Sequence, residues 1–287
     1  MKILVTGATG QLGSAIVKTF AGVHDVVACA FEDLDITSHE RVAERVGDAR
    51  PDVIINCAAY NEVDASQDRA ETALEVNALG VLTLARAAAL AGAVLVHYGT
   101  DFVFKGDADR PYTEEDAPNP QGFYAMSKLL GEWFARDAPR AYVLRVESLF
   151  GGFALGSSHR SSVDRIADAL FEGREALVFT DRTASPSFVI DVARATRELV
   201  ERRPPCGLYH CVNSGRCTWH ELAQELARQA GIARPTLQPR RWAEVQLRVP
   251  RPAYAALSNA KLAAAGITMP TWQDAIARYV RMRRSAA

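Results

Sequence analysis

Three short stretches of this chain carry side chains and spacings that can do chemistry. The first is Val5-Thr6-Gly7-Ala8-Thr9-Gly10-Gln11-Leu12-Gly13, with Gly-x-x-Gly-x-x-Gly spacing. A strand that turns through glycines into a helix lets the backbone approach a pyrophosphate, whose charge then sits at the helix N-terminus. Three glycines beside a turn can also be packing alone, but a place at the head of a strand-helix-strand series points to dinucleotide binding. The second is Tyr124-Ala125-Met126-Ser127-Lys128. On a helix, positions i and i+4 share a face, so the phenol and the ammonium can enter one cleft. A phenol with an ordinary pKa near 10 is a poor acid–base group at neutral pH. A neighbouring ammonium, helped by an oxidised nicotinamide, would bring it toward the working range. The bland alternative is a surface Tyr–Lys pair. The third is Val96-His97-Tyr98-Gly99-Thr100-Asp101-Phe102-Val103-Phe104. Thr100 falls just past a strand, on the carboxyl edge where open α/β sheets bind ligands, and its hydroxyl could bond a substrate carbonyl. Capping of a turn by Thr100 or Asp101 is the competing reading.

The elements that must position these groups follow from the apolar pattern. Over the first two-thirds, apolar strand runs alternate with helical patterns, which predicts a parallel sheet covered on both faces. Strands are predicted at residues 2–6, 25–30, 52–57, 93–98 and 141–146. Helices are predicted at 11–20, 38–46, 69–92 and 124–136, with a surface loop rich in Asp, Glu and Pro over 105–122. Continuous Val/Ile runs fit strands buried on both faces. Beyond residue 150 the pattern loosens into helices at 161–171, 190–202, 218–230 and 272–283 with short strands between. The fold class expected is a Rossmann-type doubly wound α/β sheet with a smaller C-terminal lobe. Residues 1–150 form the dinucleotide-binding domain, which also receives segments near 175–212, and residues 151–287 form a discontinuous substrate lobe.

Composition narrows the class. Lys and Arg total 33 against 34 Asp and Glu, a net charge of −1, so no basic footprint for nucleic acid stands out. No apolar stretch is expected to reach the roughly 18 residues of a membrane span; residues 81–96 come closest, broken by Arg86 and Gly92. The N-terminus reads as a strand rather than a signal peptide, so a cytoplasmic protein is expected. Five cysteines without a Cys-x-x-Cys argue against a disulfide framework. Cys206, His210, Cys211, Cys217 and His220 crowd within fifteen residues. Their spacing is irregular and His210 and Cys211 alternate on a strand, so no metal site is expected.

The second strand ends Ala28-Cys29-Ala30-Phe31, with no carboxylate where one would bind the ribose hydroxyls; Glu32 and Asp33 lie just beyond. Both NADPH and NADH are therefore expected to bind, with a lean to NADPH because no acid is placed to repel its phosphate. Asp35 could bond the adenine amino group or start the next helix.

Taken together these stretches resemble the extended short-chain dehydrogenase/reductases and, within them, the dTDP-4-dehydrorhamnose reductase family. The likeness covers nearly the whole chain. It runs through Leu34-Asp35-Ile36-Thr37, Asn56-Cys57-Ala58-Ala59-Tyr60, Val76-Asn77, Thr100 to Phe104, Pro111-Tyr112, Tyr124-x-x-x-Lys128, Ser185-Pro186, Tyr209-His210 and Arg251-Pro252. The resemblance implies Thr100, Tyr124 and Lys128 as the catalytic set. It implies Gly7, Gly10, Gln11, Leu12, Gly13, Asp35, Ile36, Ala58, Ala59 and Tyr60, with Tyr124 and Lys128, around the cofactor. Thr100 and Asp101 would meet a nucleotide-sugar substrate, a 4-keto-deoxysugar nucleotide being the implied class. The chain also departs from the family pattern. Gly99 stands for the Ser before the catalytic Thr, and Ala125 for the Gly after the Tyr. Arg145-Val146-Glu147-Ser148-Leu149-Phe150-Gly151 replaces Arg-Thr-Ser-Trp-Val-Tyr-Gly. Ser148 thus stands where an indole would contact the sugar nucleotide, with Phe150, Phe153 and Trp242 as candidates to refill the space. Alternatives are a sugar-nucleotide epimerase, or a non-catalytic dinucleotide-binding regulatory subunit like that of methionine adenosyltransferase. Phe102 after Asp101 removes the second carboxylate a dehydratase uses. A homodimer is left open.

Overall fold

The computed structural model of the chain describes residues 1–157 and 159–285. Strand β1 (Lys2–Thr6) leads into helix α1 (Gln11–Phe20), followed by β2 (Asp25–Cys29), α2 (His39–Ala49) and β3 (Val53–Asn56). Helix α3 (Ala70–Leu74) runs through a π turn at Glu75–Leu79 into α4 (Gly80–Ala91) and then β4 (Val94–Thr100). The next elements are α5 (Phe123–Ala135), β5 (Ala141–Val146), β6 (Leu149–Phe150), α6 (Ser162–Phe171), β7 (Ala176–Phe179), β8 (Thr183–Ala184), β9 (Ser187–Phe188), α7 (Val189–Arg202) and β10 (Gly207–His210). The chain ends with β11 (Cys217–Thr218), α8 (Trp219–Gln229), β12 (Leu237–Arg240), α9 (Ala260–Ala264) and α10 (Trp272–Ser285).

Six strands form one parallel sheet in the order β10-β5-β4-β3-β1-β2. The strand order reverses between β1 and β3, the switch point at which open α/β sheets leave a crevice beyond the strand ends. β3 is Val53-Ile54-Ile55-Asn56, buried at every position, as a strand covered on both faces requires. One covering layer packs α1 and α7 over Ile3, Val5, Ile55 and Val96, and the other packs α2 and α4 over Leu4, Ile54 and Leu95.

The run Ala70–Ala91 corrects one expectation, since an 18-residue stretch within its 22 residues has mean hydropathy 1.4, long and apolar enough for a span. More than half of it is buried, and Val81, Leu84, Ala85 and Ala88 pack into the core under the sheet, where an apolar helix is required by its neighbours.

The remaining helices build a second core from α6, α8 and α10, with Phe150 and Phe188 stacked at 5.2 Å beside Tyr279. Capping boxes start α6 at Ser161/Asp164 and α8 at Thr218/Glu221, each a pair of bonds between cap side chain and backbone. The segment between β4 and α5 has no long regular element, yet it is anchored. Tyr112 stacks on Phe104 at 4.1 Å, and its N–H donates to the Ala256 carbonyl at 2.9 Å. In the Cys/His cluster, the His210 ring faces the Tyr112 carbonyl at 3.2 Å, Cys211 and Cys217 lie in separate cores, and Cys206 is exposed. Burial pushes His210 down to about 3, so the ring stays neutral.

Candidate active site

A cleft of about 450 Å³ opens at the carboxyl ends of β1, β3, β4 and β5. It brings together Gly10, Gln11, Leu12, Ala58, Ala59, Thr100, Asp101, Tyr124, Lys128 and Ser148.

The glycine turn is shaped by close contact. Gly7 has φ of 61°, and a Cβ there would lie 2.7 Å from the Ala58 nitrogen. A Cβ on Gly13 would lie 2.1 Å from the Gly7 carbonyl oxygen, so only glycine lets α1 start this close to β1. No side chain caps α1 at Gly10, which leaves first-turn N–H groups for an anion. Gln11 is committed elsewhere: its amide donates to the Leu149 carbonyl at 3.2 Å and accepts from the Gly152 N–H at 3.3 Å. Asn56 fastens the switch point, accepting from the Thr6 hydroxyl at 2.7 Å and the Ala58 N–H at 3.1 Å.

Several cofactor candidates stand outside the cleft wall. The Asp35 carboxylate accepts from the Thr37 N–H at 2.9 Å and hydroxyl at 2.8 Å, a local turn bond. Ile36 is buried against α4, where a Cβ on Gly80 would meet it at 2.9 Å. Gly7 and Gly13 act through the shape of the turn. The Tyr60 backbone is held by Asn77, which accepts from its N–H and donates to its carbonyl, both at 2.9 Å. Asn77 sits in the π turn and also donates to Ser127 at 3.0 Å, tying the loop after β3 to the helix that carries Tyr124 and Lys128. Beyond β2, the Asp33 carboxylate folds back onto the Ala30 N–H at 2.9 Å. Arg41 donates to the Glu32 carbonyl at 2.7 Å, placing a guanidinium at a strand end that looked bare in the sequence. That arginine was hidden because it comes from the following helix.

Tyr124 and Lys128 are 8 % and 4 % exposed, one turn apart on α5. Lys128 donates to the Tyr98 carbonyl at 2.7 Å, and burial lowers its pKa to about 8 against the pull of Glu132. The Tyr124 hydroxyl reaches Asn61 at 3.4 Å and its ring meets Phe102 edge-on at 5.6 Å. Its phenol is pushed above the ordinary value, first by burial and then by the Asp101 charge. The depressed phenol is expected with an oxidised nicotinamide beside Lys128; here the ammonium bonds the Tyr98 carbonyl and burial dominates at Tyr124. Thr100 ends β4, donates to Asp101 at 3.2 Å and accepts from the Phe102 N–H at 3.3 Å. Burial raises Asp101 to about 7, against the opposing Arg182 charge.

The family departures have local causes. A Cβ on Gly99 would lie 2.1 Å from Glu132 Oε1, which itself accepts from Arg145 Nε at 3.0 Å. Ser148 has φ of 44°, a left-handed backbone that a bulky side chain adopts poorly. None of the candidates to refill its space lines the cleft: Phe150 stacks in the lobe core, Phe153 lies under Arg160, and Trp242 meets Phe179. Trp219, from the start of α8, lines the cleft instead. Its position in a helix-start motif gave no hint of that role.

Comparison with known proteins extends this geometry. The family model described as RmlD substrate binding domain matches residues 1–284. A dTDP-4-dehydrorhamnose reductase of Mycobacterium tuberculosis is 36% identical, over 96% of this chain and 91% of its own. The crystal structure of a dTDP-4-dehydrorhamnose reductase from Clostridium acetobutylicum superposes with a TM-score of 0.91 at 33% identity, covering 99% of this chain and 100% of the other. A Bacillus anthracis dTDP-4-dehydrorhamnose reductase in complex with NADP gives 0.90 at 30% identity, over 97% and 98%.

Proposed function

Because the chain belongs to the RmlD substrate-binding domain family, we propose that it is an NAD(P)H-dependent reductase of a 4-keto-deoxysugar nucleotide, of the dTDP-4-dehydrorhamnose reductase type. The observation that carries this reading is the convergence of Thr100, Tyr124 and Lys128 on one cleft, beside the uncapped helix after the glycine turn. The turn fits a dinucleotide: a Cβ at Gly7 or Gly13 would fill the close approach, and the uncapped first-turn N–H groups would hold a pyrophosphate. Ala58 and Ala59 line the same wall with small side chains.

When bound, the reduced cofactor supplies a hydride to the carbonyl carbon. Tyr124 holds its proton firmly in this buried setting, the form required to protonate the oxygen as it becomes an alkoxide. Thr100 would turn its hydroxyl from Asp101 to the same oxygen, and Lys128 would lend positive charge to the cofactor side and to the phenolate left behind. Asn77, through Ser127 and the Tyr60 backbone, keeps the cofactor loop and the catalytic helix in register.

The test is NADPH oxidation by the purified protein with a panel of dTDP- and UDP-linked 4-keto-deoxysugars. At least one should give turnover; cofactor binding with no oxidation across the panel would favour the regulatory-subunit reading.

A further inference from the structure

We propose that Glu147, together with Asp101 and Arg182, forms a polar recess that takes the sugar hydroxyl next to the reacting carbonyl, with Glu147 as a positioning residue for specificity. This rests on the sugar-nucleotide reading above. Glu147 follows β5 and is 2 % exposed. One carboxyl oxygen accepts from the Ser185 N–H; the other, Oε1, has no partner. Asp101 is 3 % exposed, with Oδ1 taken by Thr100 and Oδ2 unpartnered. Arg182 donates from Nε to the Pro252 carbonyl at 3.3 Å, and its guanidinium lies over the rings of Trp242 at 5.0 Å and Trp219 at 5.7 Å. Among the described residues, neither carboxyl comes within the 4.0 Å of an ion pair with Arg182. The Trp219 indole N–H is also buried without a partner. Asp101, Arg182 and Trp219 line the cleft, whereas Glu147 stands behind its wall between Val146 and Ser148, which do.

Buried polar groups without partners are unfavourable, so these groups together call for a ligand group that satisfies both kinds. Two donors (Arg182, Trp219) and the Asp101 carboxyl line one cleft, and the Glu147 carboxyl stands behind them, close enough for the Asp101 and Arg182 charges to act on it. An ammonium would meet Arg182, and a carboxylate or phosphate would meet two carboxyls. A hydroxyl both gives and accepts. Burial raises Asp101 to about 7, and burial and the Asp101 charge push Glu147 well up, so near neutral pH the pair keeps a proton to share. Thr100, adjacent to Asp101, addresses the carbonyl oxygen. In a 4-keto-6-deoxyhexose the neighbouring carbon that bears a hydroxyl is C3. Where the related family pattern has Ser, Glu147 gives this chain an extra carboxyl behind Asp101.

The test is calorimetric binding of two dTDP-linked 6-deoxyhexoses, identical except for the C3 hydroxyl, to NADP⁺-saturated protein. The wild type should prefer the hydroxylated ligand by about a hundredfold or more. Glu147→Ser should reduce that preference to under about tenfold while leaving NADP⁺ affinity and the C3-deoxy ligand unchanged; Glu147→Gln, which keeps an acceptor and a donor, should restore it. Arg182→Gln, a second variant should Glu147→Ser not fold, should lose the preference likewise. Equal binding of both ligands by the wild type, or an unchanged preference in both Glu147→Ser and Arg182→Gln, would overturn the recess while leaving the reductase reading intact. Failure of both ligands to bind the wild type would instead overturn the sugar-nucleotide reading and the recess with it.

Discussion

Tyr124 and Asp101 are the two side chains whose environment says most about the chemistry. Burial holds the phenol protonated, so Tyr124→Phe should keep NADPH affinity but lower turnover by roughly two to four orders of magnitude. Steady-state kinetics beside a fluorescence titration separate these effects; near-normal turnover would remove Tyr124 from the mechanism. Asp101 has an ordinary value of 3.8 and is raised to about 7 in the fold, so the native state binds the proton more tightly than the unfolded chain. Its contribution is therefore fully present below about pH 4 and is lost as the pH rises through about 7. Asp101→Asn should flatten that part of the thermal-stability profile; a Tm difference from wild type that is constant from pH 4 to 7 would contradict it. The Arg41 guanidinium, just beyond the end of β2, is expected to attract the 2′-phosphate of NADPH. Both NADPH and NADH are expected to bind, with preference for NADPH below about a hundredfold. Arg41→Ala should erase most of that preference without weakening NADH, by titration of both cofactors. That Thr100, Tyr124 and Lys128 share one cleft was legible because Tyr-x-x-x-Lys and the glycine spacing are local. Arg41 and Trp219 were not, because each comes from a helix that the motifs do not contain.

At the scale of elements, the strands were legible wherever an apolar run is buried on both faces, and β3 is the clearest case. The helices read equally well where the apolar face repeats, as in α7 and α8. What the pattern could not show is the π turn at Glu75–Leu79, which adds one residue to a turn without changing composition and carries Asn77 to Tyr60. The two-residue strands β8, β9 and β11 were equally invisible, since they are defined by partners far away in sequence. The junction of β1 and α1 gives a direct test. Gly13→Ala puts a methyl 2.1 Å from the Gly7 carbonyl, which forces α1 away from the turn. The expected result is a loss of roughly 1–3 kcal/mol in stability, with cofactor affinity falling at least tenfold. Unchanged NADPH binding in a folded Gly13→Ala protein would mean that the turn does not shape the site.

For the whole molecule, the doubly wound class was legible from alternation alone, but no single cut separates its two parts. The chain leaves the sheet after β5, builds β6 to β9 and α6, and returns through α7 and β10 to pair at the edge of β5. That excursion places Ser148 and Arg182 over the strand ends, and the segment after β10 adds Trp219, so part of the cleft wall comes from the chain least readable from pattern. With Ser148 in place of an indole, dTDP-4-dehydrorhamnose is expected to be a poor substrate, at kcat/KM below about 10⁴ M⁻¹s⁻¹, and a sugar with a larger or different substituent a better one. The account as a whole depends on hydride reaching a sugar carbon in this cleft. Its most direct test is turnover of a 4-keto-deoxysugar nucleotide with NADPH carrying deuterium at the transferring position, followed by mass spectrometry and NMR of the product. The expected result is deuterium on the former carbonyl carbon at one atom per NADPH consumed, formed at least about a hundredfold more slowly in Tyr124→Phe; NADPH consumption without deuterium on the sugar would contradict the account.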